Sequence, residues 1–308
     1  MSAAGSQRSL RYILESSFGT TPSTPTLETI RNTGGSGVGL DRSQLQSNEF
    51  RSDRNVSNLR LGNKTPNLEI PIELSYESFE DLIASALFGE WQDTDSDTNP
   101  DTVKNGTTQK SLTIEEAFED ISVFQVARGM IVNSMSLNIQ PDQIITGSFG
   151  FAGKAVDAPA TTTIASSVNA PNTNPPFDSY TGSINEGGSQ IAVVSGLSLS
   201  LNNGLDPKFP LFQNEAHHIG AGRCNVTAEL SAYFTDKALL EKFVNETEST
   251  LEVVLTDPNG TSYTITLPRI KFTGESKNIT ENDIVQTLPI QALYDETEAC
   301  AIKIHKTV

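Results

Sequence analysis

Asp93, Asp95 and Asp97 stand two residues apart, with Asp101 just beyond them. Alternating carboxylates of this kind open the loop that wraps a calcium ion, which also needs glycine at its sixth position and a bidentate carboxylate at its twelfth. Those places hold Thr98 and Lys104, so the stretch reads as a solvated acidic loop. The three histidines supply little general-base capacity near neutral pH. His217 and His218 are adjacent, and neighbours on a strand point to opposite faces, which makes them poor co-ligands. His305 has no partner in sequence. Cys224 and Cys300 sit alone in apolar contexts at no metal-ligand spacing and read as buried free thiols of a reducing compartment. Gly35, Gly37 and Gly39 resemble a nucleotide loop, but their spacing is not G-x-G-x-x-G and no helix pattern follows. A bend or a close strand approach is the reading there. No G-x-S-x-G, H-E-x-x-H, P-loop or Cys–His constellation occurs. The side chains capable of chemistry therefore single out no catalytic group, no metal site and no cofactor, and a protein that builds or binds is expected.

Charge narrows the partners. The 308 residues carry a formal charge of −17. A sequence-independent DNA binder or an anionic-membrane binder needs a basic surface, so both are disfavoured. The same acidity suits a surface that DNA passes without sticking. No apolar run approaches the length of a membrane span, and the opening MSAAGSQRSL lacks the apolar core of a signal peptide. Production in a cytoplasm, with no membrane partner, is expected.

The chain is organised around Ile70–Trp91. Ile70, Ile72 and Leu74 alternate with polar or proline residues, the period of a half-buried strand. The period then changes: Phe79, Leu82, Ile83, Ala86 and Leu87 form one apolar stripe of a helix. Ser78 is placed to cap it, Glu80 and Asp81 favour its N-terminal dipole, and Gly89 can end it. The unit returns at Cys224–Val244, with Thr235 as the cap and Leu239, Leu240, Phe243 and Val244 as the stripe. Glu229-Leu230-Ser231 echoes Glu73-Leu74-Ser75, and Gly204-Leu205-Asp206 echoes Gly39-Leu40-Asp41. Strand patterns follow each helix, at 111–118, 121–139 and 144–153, then at 249–256, 261–273 and 284–294. The repeat predicts a mainly β (α+β) chain of two tandem domains, at 26–155 and 178–308, each with a short helix whose stripe is buried against its sheets. Residues 1–25 read as an extended arm that orders only against something else. Residues 156–177 have the composition of a linker. Residues 41–66 read as a long loop of mixed charge with apolar anchors. Phe50, Arg51, Asp53, Arg54, Val56, Leu59 and Arg60 match the composition of a protein interface, and the loop is expected to order only on assembly.

Laid out in order, several segments resemble the tail tube (major tail) proteins of long non-contractile-tailed, siphovirus-type bacteriophages. They are Arg11–Thr24 (RYILESSFGTTPST), Ser47–Leu61 (SNEFRSDRNVSNLRL), Phe79–Trp91 (FEDLIASALFGEW), Arg128–Leu137 (RGMIVNSMSL), Asn202–Leu205 (NNGL) and the hairpin from Asp257 to Lys271 with its PNG turn. The resemblance implies a β-sandwich or barrel-like domain flanked by a helix. It implies self-assembly into rings that stack into a hollow tube, six tube domains to a ring, and no catalytic residues. It further implies a place in the virion tail, with the tape-measure protein and passing DNA in the lumen and tail-tip and tail-terminator proteins at the ends. Combined with the internal repeat, it predicts a ring of three two-domain chains, with six chains as the alternative. Two other readings compete. One is a binding module such as a tail-tip, adhesin or decoration protein. The other is a carbohydrate-cleaving enzyme using paired carboxylates, which one Trp and six Tyr make a poor platform for sugars.

Overall fold

The computed structural model describes residues 2–94, 100–191 and 193–307. The chain opens with β1 (Arg8–Leu14), β2 (Thr26–Ile30), β3 (Gly39–Gln46), β4 (Leu59–Glu73) and helix α1 (Glu80–Leu87). There follow β5 (Thr102–Lys104), β6 (Leu112–Phe118), β7 (Val123–Ile139), β8 (Thr146–Ala152), β9 (Ala155–Val156) and β10 (Ser167–Asn169). The later part comprises β11 (Gly182–Glu186), β12 (Ser189–Gln190), β13 (Val194–Asn202), β14 (Asp206–Lys208), β15 (His218–Gly220), β16 (Asn225–Tyr233) and helix α2 (Ala238–Val244). It ends with β17 (Ser249–Thr256), β18 (Ser262–Phe272), β19 (Ser276–Ile279), β20 (Ile284–Ala292) and β21 (Lys303–Thr307). The class is mainly β, in large open sheets, and no closed barrel forms among the described residues.

Strand neighbours follow one order in both parts. In the first, β3 pairs with β4, then β8, β7, β6, β1 and β2 in succession. In the second, β13 pairs with β16, then β20, β18, β17, β11 and β12. The short β9 on β7 is matched by β21 on β18. Register irregularities also recur. The slip between β7 and β8 at Val132/Ser134 has its counterpart where β18 gives way to β19 along β20. The slip between β6 and β7 recurs between β17 and β18. The slip within the β3–β4 hairpin recurs where β13–β16 pairing passes to β14–β15. Bulges bend a strand and fix its register, so matched bulges superpose the two parts residue by residue. Ile139, the last residue of β7, then corresponds to Ile279, the last of β19, and Leu201 corresponds to Leu40. In that alignment the Glu-Leu-Ser and Gly-Leu-Asp echoes fall four residues out of step. The shared tripeptides are coincidental although the repeated topology is present.

The two parts meet along β7 and β13, which pair antiparallel with Met135 opposite Leu201 and Ile139 opposite Leu197. One continuous apolar core lies under both, from Leu10 to Ile304. Phe79 packs against Phe149, and Tyr263 lies between Tyr76 and Phe177.

Several expectations need correction. Arg8–Leu14 is no free arm: β1 runs between β2 and β6, with Leu10 and Tyr12 in the core. Alternation of Leu10, Tyr12 and Leu14 with polar or outward residues is a strand signal that the surrounding Ser and Thr obscure. Residues 41–66 are mostly a hairpin, β3 with the start of β4, leaving 47–58 as the loop. Both strands are largely exposed there, so no apolar period announces them. Within 156–177, β10 lies parallel to β2 and Phe177 is fully buried. Ser78 does not cap α1; its hydroxyl is engaged with Ser75 and Tyr76. At α2 the Ala238 N–H donates to Asp236, and Thr235 makes no cap. Phe88 takes the left-handed turn that ends α1, while Gly89 is required by the close approach of β5: a Cβ there would lie 2.2 Å from the Lys104 carbonyl oxygen. Asp95, Asp97 and Thr98 of the calcium-like spacing lie outside the described residues.

Candidate assembly surfaces

Buried and half-buried carboxylates are the groups from which an active site would be built, and several are held by structural bonds. Glu15 accepts from the Gly19 and Gly129 amides and from the hydroxyls of Ser111 and Thr113. Glu115 faces Arg11 and accepts from Thr163 and the Ile164 amide. Glu116 pairs with Arg8 at 2.6 Å and accepts from the Val38 amide at 2.9 Å. Tyr12 donates to Asp81 at 2.9 Å; burial, reinforced by that carboxylate, raises its pKa far above the ordinary phenol. His305, without a partner in sequence, meets the Thr102 hydroxyl at 2.9 Å. Cys300 is buried and Cys224 half-buried, both are free, and burial raises both thiols. Among the described residues no group of His, Cys, Asp and Glu is placed to hold a metal.

The informative surface is the tip of the β3–β4 hairpin. Its loop is closed by the Ser47 amide on the Asn58 carbonyl at 3.0 Å. Phe50 is as exposed as a side chain can be, at 104%, and Val56, Leu59, Leu45 and Leu61 are each more than half exposed. Arg51 grips Asp53 with two parallel bonds, Nε–Oδ1 at 3.0 Å and Nη2–Oδ2 at 2.6 Å. The Arg51 bond, with help from the Asn55 amide, lowers the Asp53 carboxyl to about 2. Arg54 sits in the left-handed region, at φ 59°, and turns the loop. Arg60 is exposed on β4. The tip is thus a locally ordered, charged turn carrying uncovered apolar side chains. Exposed apolar side chains rimmed by charge have the composition of a protein-binding patch.

The second part carries the counterpart excursion, residues 203–220, and it lies against α1. The Asn203 side-chain amide donates to the Ala86 and Val132 carbonyls at 2.9 and 3.0 Å. Ala216 and Ile219 pack with Phe88 and Ile131. Of the sequence-predicted helix residues, Phe79, Leu82, Ile83 and Leu87 are buried. Leu239, Leu240 and Phe243 are only half-buried, and Val244 is 69% exposed. Leu239 and Phe243 pack against the core, yet the stripe of α2 is covered less than the sequence predicts, because the chain passes almost directly from α2 into β17.

Comparison with known families settles the class. A family profile described as phage tail tube protein matches residues 5–292. The chain belongs to the phage tail tube family. No curated protein matches it. The family match makes this a structural protein of the virion tail that self-assembles into a tube alongside other tail proteins. Sequence composition singles out the hairpin residues; it misses the open face of α2, whose only signal is the short connection to the next strand.

Proposed function

We propose that three copies of this tail tube protein close each ring, and that rings stack into the conduit for the genome. The repeated strand order with matched register slips supports this reading: each chain offers two tube-like repeats, within 26–155 and 178–308, so three chains supply the six domains that the family resemblance implies. A closed cyclic ring leaves upper and lower faces unsaturated, so rings can stack. The net charge of −17 favours a lumen that repels phosphate, with tape-measure protein and then DNA passing without tight binding. Tail-tip and tail-terminator proteins would occupy the two ends, and the subunit would be made in the host cytoplasm.

The hairpin tip, with Phe50, Arg51, Asp53, Arg54, Val56, Leu59 and Arg60, is the proposed tie between subunits. Replacing Arg51, Asp53 and Arg54 together by Ala should leave the free chain folded and stop tube growth. Electron microscopy of purified protein, with class averages counting the symmetry of end-on views, tests both points. Three-fold rings are expected for the wild type. Six identical chains per ring would overturn the stoichiometry, and normal tubes from the triple variant would make the hairpin incidental.

A further inference from the structure

The internal junction between the two repeats has a counterpart that the single chain leaves open. Within the chain, the outer edge of β7 is covered by β13, and the excursion that follows β13 lies over α1. Superposing the repeats on their matched bulges maps the C-terminal end of β7 onto β19 and the residues before it, and maps β13 onto the run that enters β3. Among the described residues neither equivalent edge is covered by another strand: β19 pairs with β20 alone, and β3 pairs with β4 alone. Residues 32–38 belong to no strand.

We infer that Gly274–Ile279 of one copy pairs antiparallel with Ser36–Asp41 of a second copy, in the register of the β7–β13 junction. This rests on the tube reading above and specifies its ring-closing contact. Ile279 would lie opposite Ser36, Lys277 opposite Val38, Glu275 opposite Leu40 and Gly274 opposite Asp41. Alternate residues of a strand address opposite neighbours. At the internal junction the Asn203 amide reaches the Asn133 carbonyl, so odd-numbered residues of β13 face β7. Their counterparts are Ser36, Val38 and Leu40. Side chains stand in for the missing strand at the start of this edge. Arg8 donates to the Ser36 carbonyl at 2.7 Å, and Glu116 accepts from the Val38 amide. Gly34 and Gly35 have φ of 114° and 93°, which lets the run entering β3 lie close to Pro71 while it has no strand partner. The exposed edge residues Leu40 and Ile279 would be covered together.

A second observation points to the same contact. The transposition that joins these edges carries the β3–β4 hairpin of the second copy onto α2 of the first, as the 203–220 excursion lies on α1. The hairpin leaves Leu45, Phe50 and Val56 exposed, and α2 leaves Leu239, Phe243 and Val244 incompletely covered. One placement covers both sets.

The test uses the full chain assembled into tubes. Asp41 and Gly274 fall at a non-hydrogen-bonded pair, where Cα atoms approach to about 4.5 Å, within the span of a disulfide. Both tolerate replacement: Asp41 is exposed, and a Cβ at Gly274 meets only ordinary contacts with Pro289 on β20. The double variant Asp41→Cys, Gly274→Cys, oxidised in the tube, should give covalent oligomers up to the number of chains in the ring. Each single variant, and the off-register pair Asp41→Cys, Ser276→Cys, should give at least tenfold less. Equal yields from the two pairs, or tubes without cross-links, would overturn the inference while leaving the tube reading intact. Should the cysteine variant fail to assemble, hydrogen exchange on wild-type tubes decides. The Leu40, Lys277 and Ile279 amides should slow at least tenfold relative to the free chain, and unchanged rates would overturn the pairing. A wild type that forms neither rings nor tubes would instead refute the tube reading itself.

Discussion

Helices α1 and α2 occupy the same place in the two repeats and carry similar apolar stripes, yet six residues of α1 are buried and none of α2. What differs is the chain around them. Residues 88–94 and 100–111 lie beside α1, where the Ser85 hydroxyl donates to the Lys110 carbonyl and Trp91 donates to the Glu80 carbonyl. The 203–220 excursion closes the far end. After α2 only Asn245–Glu248 intervene before β17. A stripe records that a helix has a side to hide, and whether the same chain or another copy hides it depends on the length and path of distant loops. The helix of the first repeat is therefore covered within one chain, and that of the second is left partly open.

The largest expected effect probes what holds the run that enters β3. Glu116 is 2% exposed and holds both Arg8 and the Val38 amide, where the second repeat places the aliphatic Val253. Glu116→Ala leaves a largely covered guanidinium without its counter-charge and a buried amide without its acceptor, and should destabilise the free chain by about 3–5 kcal/mol. Denaturant unfolding measures it. A loss below about 1 kcal/mol would mean that water already reaches the pair.

Next come the helices themselves. Leu82→Ala empties a fully covered site and should cost about 2–5 kcal/mol. Leu240→Ala removes a side chain still partly in water, and should cost the free chain only about 1 kcal/mol. Equal losses would erase the contrast between the helices. A smaller effect on folding, with a large one on assembly, is expected at the open face. Val244→Glu adds a charge to an exposed site, so thermal unfolding of the free chain should stay as it is while tube formation fails. Tubes of normal yield would show that nothing docks on α2.

The same contrast separates what is legible in the sequence from what is not. Strands that bury one face, such as Ser249–Thr256 and the last third of Val123–Ile139, announce themselves by alternation, because the core imposes a period of two. The β3–β4 hairpin does not, because both its faces meet solvent in the free chain and nothing selects a period. β1 is hidden among Ser and Thr although Leu10 and Tyr12 are core residues. The helix caps cannot be placed from residue type, because Ser78 and Thr235 have competing partners or none, and propensity does not see them. The mixed character of the 47–58 tip is readable, since Phe50 stands there beside Arg and Asp with no apolar period around it, and the structure leaves it exposed. The open face of α2 is not readable, since an uncovered helix face is a property of the packed molecule.

The smallest expected effect asks whether the tip is ordered before it docks. A side chain pair that exists only in the assembly would leave the Asp53 carboxyl at the ordinary aspartate value of about 3.9 in the free chain. The structure has the pair already formed, and the Arg51 bonds lower that carboxyl to about 2. A depressed value in the folded state means that the pairing contribution is complete above the ordinary aspartate range and is lost as pH falls through about 2. Its effect on global stability should be undetectable, because both partners lie in solvent and surface pairs contribute little. The readout is therefore local: NMR titration of the Asp53 side chain should have its midpoint near 2 in the wild-type free chain, and Arg51→Ala should move it back toward the ordinary value. A pre-formed turn loses less conformational freedom on docking, so the same substitution should also slow tube growth while leaving the fold untouched. A wild-type midpoint already at the ordinary value would show a loose tip, and the ordering cost would then fall entirely on assembly.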